Sequence, residues 1–235
     1  MKEVYKHGSG ESNREAVYEF SIGFRFTHWV RAISIIVLTV SGLYIAYVFA
    51  APVVTGEPTN FMNAKWRAVH EVAGFVLLGC LIFKSYLFFF DRKSHGERIS
   101  IKDSFNIKTW VAQIKYYLFI GEHPHLKGVY NPLQFVSYVI FYLLMIGLCL
   151  TGFILYANNY HEGFGGLIYE YMRSFEAMFG GLANVRQIHH ILTWAVVIFV
   201  CVHIYMAVFN AIKGKDGGMD AIFSGYKYIK DGKRT

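Results

Sequence analysis

The sequence predicts an all-α membrane protein: a four-transmembrane-helix bundle with both termini cytoplasmic and an interfacial helix between helices two and three. Three observations predict it. The 235 residues are 54% hydrophobic and 18% aromatic with a mean hydropathy of +0.34, more apolar and less charged than an ordinary soluble domain. Apolar runs near residues 26–48, 68–90, 133–156 and 188–211 each reach the roughly 20 residues that cross a hydrocarbon core of about 30 Å. Eighteen of the 23 Lys and Arg residues fall in the N-terminal arm and first helix entrance, the connection after the second run, and the tail. Lys65, Arg67, Arg173 and Arg186 alone fall on the opposite side, which puts both termini in the cytoplasm. That placement accounts for the net charge of +7 without nucleic acid as a partner; the partner it implies is the lipid bilayer.

Taken in order, residues 1–20 read as a polar cytoplasmic arm with no fold that the sequence argues and no signal-peptide core. Residues 21–212 carry the four spans, and residues 213–235 form a cytoplasmic tail. The first span opens at GFRFTHWVRA, with His28 and Trp29 near the cytoplasmic boundary. Fourteen residues on, Gly42 shares the face of His28 one leaflet away, where a missing side chain lets a flat ligand approach the backbone. After a short external connection the second span, starting near Trp66, places His70 about one turn inside the external boundary and Gly74 a turn further on the same face. Lys84 is the charge deep in this span; snorkelling to the headgroups is favoured over a buried anionic partner.

Between the second and third spans, SFNIKTWVAQIKYYLFI alternates apolar and polar residues at a helical period, which predicts an interfacial helix with Lys108 and Lys115 towards the headgroups. Asn131 followed by Pro132 is a start signal for the third span: a side-chain cap, then proline at the first helical position. His125, Tyr130, Asn131 and Gln134 cluster there, able to hydrogen-bond a carbonyl or simply to cap and anchor the helix. The third span has no histidine, so it walls a site without ligating; Gly147, Thr151 and Gly152 suit close helix packing. The external connection from Ala157 to Val185, with Phe164, Tyr169, Tyr171, Phe175, Met178 and Phe179, is an aromatic surface for a partner or for the membrane interface.

The fourth span holds His189 and His203, fourteen residues apart. That separation falls about 40° short of four turns and advances roughly 21 Å, so both imidazoles leave one helix from nearly the same face at two depths. Topology pairs them: His28 with His203 at the cytoplasmic level, His70 with His189 at the external level. Two imidazoles opposed across a bundle suit the axial positions of a haem, one such group at each level. No C-x-x-C-H occurs, and Cys80, Cys149 and Cys201 lie scattered through the spans, so the haems would be non-covalent, of b type. Arg25, Arg67 and Arg186 each precede one of these histidines by three residues, on its face, and suit haem propionates or lipid headgroups. His190 points about 100° away from His189 and fits the pattern less well, its role left open. A zinc site would need three or four converging ligands, which two layers do not supply. A proton relay, a transporter, and a haem-free anchor with structural histidines remain as competing classes; the absence of inverted repeats speaks against transport.

The motifs R-F-T-H-W, R-A-V-H-E-V-A-G, Y-N-P-L-Q, T-G-F-I-L-Y, R-Q-I-H-H and H-I-Y-M-A, spread over residues 18–210, together resemble the cytochrome b subunit of membrane-bound nickel-iron hydrogenases. A looser likeness extends to the cytochrome b subunits of formate dehydrogenase and thiosulfate reductase. The resemblance implies a bacterial inner-membrane subunit with two haems on His28, His70, His189 and His203. It implies an electron path from the iron-sulfur small subunit of a periplasmic hydrogenase, itself joined to the large subunit, to menaquinone or another quinone. It also implies a quinone region at His125, Asn131 and Gln134. On this reading the subunit performs quinone chemistry and no hydrogen chemistry of its own.

Overall fold

A computed structural model describes residues 4–6, 14–47, 62–118, 128, 130–209, 211–212 and 218–230. In chain order the elements are strands β1 (Val4–Lys6) and β2 (Arg14–Tyr18), helices α1 (Ile22–Tyr47), α2 (Met62–Phe90), α3 (His95–Ser104), α4 (Ile107–Tyr117), α5 (Pro132–Asn159), α6 (Gly163–Met178), α7 (Leu182–Phe209) and α8 (Gly218–Ser224), and strand β3 (Tyr226–Lys230). Helices α1, α2, α5 and α7 are the four expected spans, each long and apolar enough to cross a membrane. The chain divides into two compact units. One comprises residues 1–28, 83–141 and 200–235, and the other residues 29–82 and 142–199.

In the first unit the arm and the tail, which the sequence left without a fold, pair in an antiparallel sheet of order β1-β2-β3. Arg14 stands opposite Lys230 and Tyr18 opposite Tyr226. Gly225 turns the chain from α8 into β3 with φ of 88°, the left-handed region that costs an L side chain most. A Cβ there would also lie 3.0 Å from the Tyr18 ring and 3.1 Å from the Phe20 carbonyl. Strands this short, formed by segments more than two hundred residues apart, leave little periodic trace in the sequence.

The helix expected over residues 104–120 is α4, and a further helix, α3, precedes it in a segment where the sequence predicts none. Asn106 takes an extended conformation (φ −96°, ψ 104°) and its side-chain oxygen accepts from the Lys108 backbone N–H at 3.1 Å, capping α4 and ending the run of α3. The Trp110 indole donates to the Ser104 carbonyl at 2.8 Å and ties the two together. Along α4, Ile107, Val111, Ile114 and Leu118 stand exposed, as do Lys108 and Lys115.

Lys84 does not snorkel. Its ammonium meets both carboxylate oxygens of Glu97 on α3, at 2.8 and 3.0 Å, and sits 4.2 Å from the centre of the Phe24 ring. Glu97 is only 6% exposed and also accepts from the Tyr130 hydroxyl at 3.3 Å. Ser100 Oγ accepts from the Tyr130 backbone N–H, and Asp103 accepts from that of Gly128 at 2.8 Å. The buried side of α3, Glu97, Ser100 and Asp103 at spacing three, thus holds the chain entering α5. Sequence reasoning preferred the headgroups because it gave the 92–104 segment no helix to carry a carboxylate back to the span.

In the second unit, the segment read as an aromatic external connection contains α6. Gly180 (φ 82°) and Gly181 (φ 99°) end it, their N–H groups returning to the carbonyls of Ala177 and Glu176 in a Schellman arrangement. Asn158 donates to Glu176 at 2.9 Å and fixes α6 to the end of α5. Phe164 packs against Phe75, Phe153 and Tyr156, whereas Leu167, Tyr171 and Met178 remain exposed.

Because Lys84 and Glu97 are both mostly buried, removing one partner strands the other. Glu97→Ala is expected to destabilise the protein in detergent by about 3–5 kcal/mol. The double replacement Lys84→Met with Glu97→Leu recovers most of that loss, measured by thermal unfolding as a double-mutant cycle.

Candidate haem sites

The four sequence-selected histidines meet in two pairs, one within each unit. The ring centres of His70 and His189 are 6.3 Å apart, and those of His28 and His203 are 6.4 Å apart. A metal–imidazole bond of about 2.0 Å, with roughly 1.2 Å from nitrogen to ring centre, places two axial rings about 6.4 Å apart across one ion. Both pairs have that separation. Among the described residues no group of three or more His, Cys, Asp and Glu converges on one point.

At the His70–His189 pair the polar surroundings decide which ring nitrogen is available. Ser41 Oγ lies 2.9 Å from His70 Nδ1, and Thr151 Oγ1 lies 2.8 Å from His189 Nδ1. Each hydroxyl has one proton, and each gives it to a carbonyl one turn back: Ser41 to Val37 at 2.6 Å, Thr151 to Gly147 at 2.8 Å. Both oxygens therefore accept from Nδ1–H, which leaves Nε2 of each imidazole with a bare lone pair, the form that ligates a metal. Gly42 makes room for the His70 ring, and Gly152 lies at ordinary contact distance from that of His189. A Cβ on Gly42 would stand 3.1 Å from His70 Cε1, and one on Gly152 would stand 3.7 Å from His189 Cε1.

The same pair opens on an apolar cleft lined by Gly74, Phe75, Met145, Gly152, Phe153 and Tyr156 among others. The close approach expected at Gly42 is made by an imidazole. Sequence reasoning missed Ser41 and saw Thr151 only as a packing residue; the overlooked signal is a hydroxyl–glycine dipeptide, Ser41-Gly42 and Thr151-Gly152, in two different spans.

At the other pair, the Tyr138 ring lies edge-on to His203 at 5.9 Å, and Tyr130 packs on Tyr138 at 5.0 Å. Arg25, one turn before His28, donates through Nη1 to the Phe223 carbonyl, which holds the end of α8. Its Nε is buried and has no acceptor, an orphaned donor that a carboxylate would satisfy. Arg67 and Arg186 are exposed and do not line the cavity. His190 is also exposed. The residues present fit a haem at each pair.

A family model described as prokaryotic cytochrome b561 matches residues 19–225. The chain belongs to this family. Relatives across nearly its whole length agree with the resemblance drawn from the motifs. The protein named "Probable Ni/Fe-hydrogenase B-type cytochrome subunit" of Rhizobium leguminosarum bv. viciae is 31% identical, covering 96% of this chain and 94% of that one. Its namesake in Cupriavidus necator is 29% identical over 95% and 91%. The "Probable Ni/Fe-hydrogenase 1 B-type cytochrome subunit" of Escherichia coli K12 is 26% identical over 92% of each chain. Membership of a b-type cytochrome family agrees with the non-covalent haem that the absence of a C-x-x-C-H motif implies.

Of the residues expected near a quinone, His125 lies outside the described residues. Asn131 and Gln134 form a reciprocal cap: Gln134 N–H donates to Asn131 Oδ1 at 2.8 Å, and Asn131 N–H donates to Gln134 Oε1 at 3.2 Å. The Asn131 amide also donates to the Tyr117 hydroxyl at 3.1 Å. Burial holds the Tyr117 phenol above its ordinary range, with the Asn131 hydrogen bond pulling the other way, so Tyr117 is a neutral hydroxyl at physiological pH.

The two glycines give a graded test. At 3.1 Å the His70 ring must shift to admit a methyl group, whereas 3.7 Å is ordinary contact. Gly42→Ala is expected to perturb the absorption spectrum and lower the haem content of the purified protein, and Gly152→Ala to leave both unchanged.

Proposed function

We propose that this chain is the di-haem b membrane subunit that carries electrons from the iron-sulfur subunit of a periplasmic nickel-iron hydrogenase to the quinone pool. The observation that carries the proposal is the pair of imidazole couples, each at the separation that brackets one iron. The names of the relatives favour a hydrogenase over a formate dehydrogenase as the partner. Basic residues on the side of the termini support a cytoplasmic placement of both ends in the bacterial inner membrane, with the exposed apolar side of α4 in the headgroup layer.

Haem b, when bound, supplies one-electron carriage at each pair. His70 and His189 would hold the haem at the external level, and His28 and His203, the latter fourteen residues from His189 on unbroken α7, would hold the one at the cytoplasmic level. Arg25, through its orphaned Nε, holds a propionate at the cytoplasmic pair, and Arg67 and Arg186 serve the external one from their exposed positions. Quinone, menaquinone or another, takes its electrons near the start of α5. There the Asn131–Gln134 cap and the Tyr117 hydroxyl supply neutral hydrogen-bonding groups, and His125 precedes Asn131 by six residues in the sequence. Electrons moving inward and protons taken from the cytoplasm separate charge across the membrane. The exposed side of α6 faces the hydrogenase or the outer lipid surface.

His203→Ala separates the two ends of the path. In the purified complex under hydrogen, the remaining haem is expected to be reduced at its normal rate while quinol formation falls by at least about tenfold. Quinol formation at the parental rate would contradict the order.

A further inference from the structure

Beyond holding the imidazoles, the hydroxyls of Ser41 and Thr151 have a chemical consequence that does not follow from ligation alone. Both are fully buried, at 0% and 1% exposure. A serine or threonine in a membrane helix commonly bonds the carbonyl one turn back, and that habit by itself needs no imidazole. Here the same arrangement occurs twice, on α1 and on α5, once for each ring of a single pair. In both cases the residue that follows is the glycine against which that ring lies. Each hydroxyl is committed to its carbonyl as donor, so each is fixed as acceptor towards Nδ1–H. An imidazole that donates from Nδ1 becomes more electron-rich at Nε2, a better ligand for the oxidised metal than for the reduced one.

We infer that Ser41 and Thr151 are positioning residues that set the redox potential of the haem on His70 and His189. They lock both imidazoles in the Nδ1–H form before the cofactor arrives and hold the potential of that site down. This rests on the haem reading above. A lower potential at the external level makes that site the better donor, so electrons leave it readily for the cytoplasmic level. The chemistry is confined to hydrogen-bond acceptance; no covalent step is involved. Gly42 belongs to the same device, because a Cβ there would push against the His70 ring that Ser41 reaches.

Potentiometric titration of the b-type absorbance, with haem quantitation on the same samples, tests the inference. In the parental protein two haems titrate; absence of any b-type signal would defeat the haem reading itself, before the hydroxyls are in question. Thr151→Val, which keeps the side-chain volume, and Ser41→Ala are each expected to shift one of the two potentials upward and to weaken haem retention at that site by about 10- to 100-fold. The other haem keeps its potential and its occupancy, which reports that the bundle is folded. Thr151→Ser, which restores the acceptor, is expected to return both values to the parental ones. If Thr151→Val loses both haems through misfolding, Ser41→Ala decides the matter from a different helix. Unchanged potential and retention in Ser41→Ala, or a Thr151→Ser protein that behaves like Thr151→Val, would overturn the inference.

Discussion

To hold a haem as proposed, each histidine of the His70–His189 pair has to keep one ring nitrogen bare, and in the interior of an apolar bundle that requirement bears on the surroundings. An imidazole taken out of water needs its N–H satisfied, and the partner that satisfies it determines which nitrogen is left to bind a metal. Ser41 and Thr151 meet the need with hydroxyls whose protons are already given to Val37 and Gly147. Gly42 beside Ser41 lets the His70 ring lie close to its helix, and Phe75, Phe153 and Tyr156 border the cleft on which the pair opens. Helix packing here serves the orientation of two side chains.

The same demand for satisfied polar groups shapes the other unit by different means. A lysine within a hydrophobic span is costly, and Glu97 relieves the cost from a helix that returns to meet it. Tyr130 adds a hydrogen bond to that carboxylate, and its ring leads through Tyr138 to His203. At the start of α5 the Asn131–Gln134 cap, steadied by Tyr117, gives the helix a fixed first turn. The entrance to the span and the histidine pair are therefore joined through a run of packed rings and hydrogen bonds.

What could be read in advance divides along physical lines. The four spans and the two histidine pairs were legible because hydrocarbon thickness and helical pitch act on every residue of a long run, and fourteen residues is nearly a whole number of turns. The Asn131-Pro132 start was legible because caps are local chemistry. The Lys84–Glu97 ion pair was not, since it joins residues on two helices whose meeting depends on how the chain folds back after Asp91. Nor was α3, in a polar segment with no apolar period, or α6, whose glycines weaken helix propensity at its start. The sheet that joins arm to tail depends on pairing across almost the whole chain. Ser41 was passed over because a lone serine in a span has a bland explanation, and only the position of His70 gives it another.

The central claim is that each imidazole pair holds one haem. It is tested most directly by the ratio of haem b to polypeptide in the purified protein, determined from the pyridine haemochrome spectrum and the amino-acid content of one sample. The account predicts two haems per chain. A ratio of one would leave one of the two pairs without its cofactor, and a ratio of zero would contradict the account altogether.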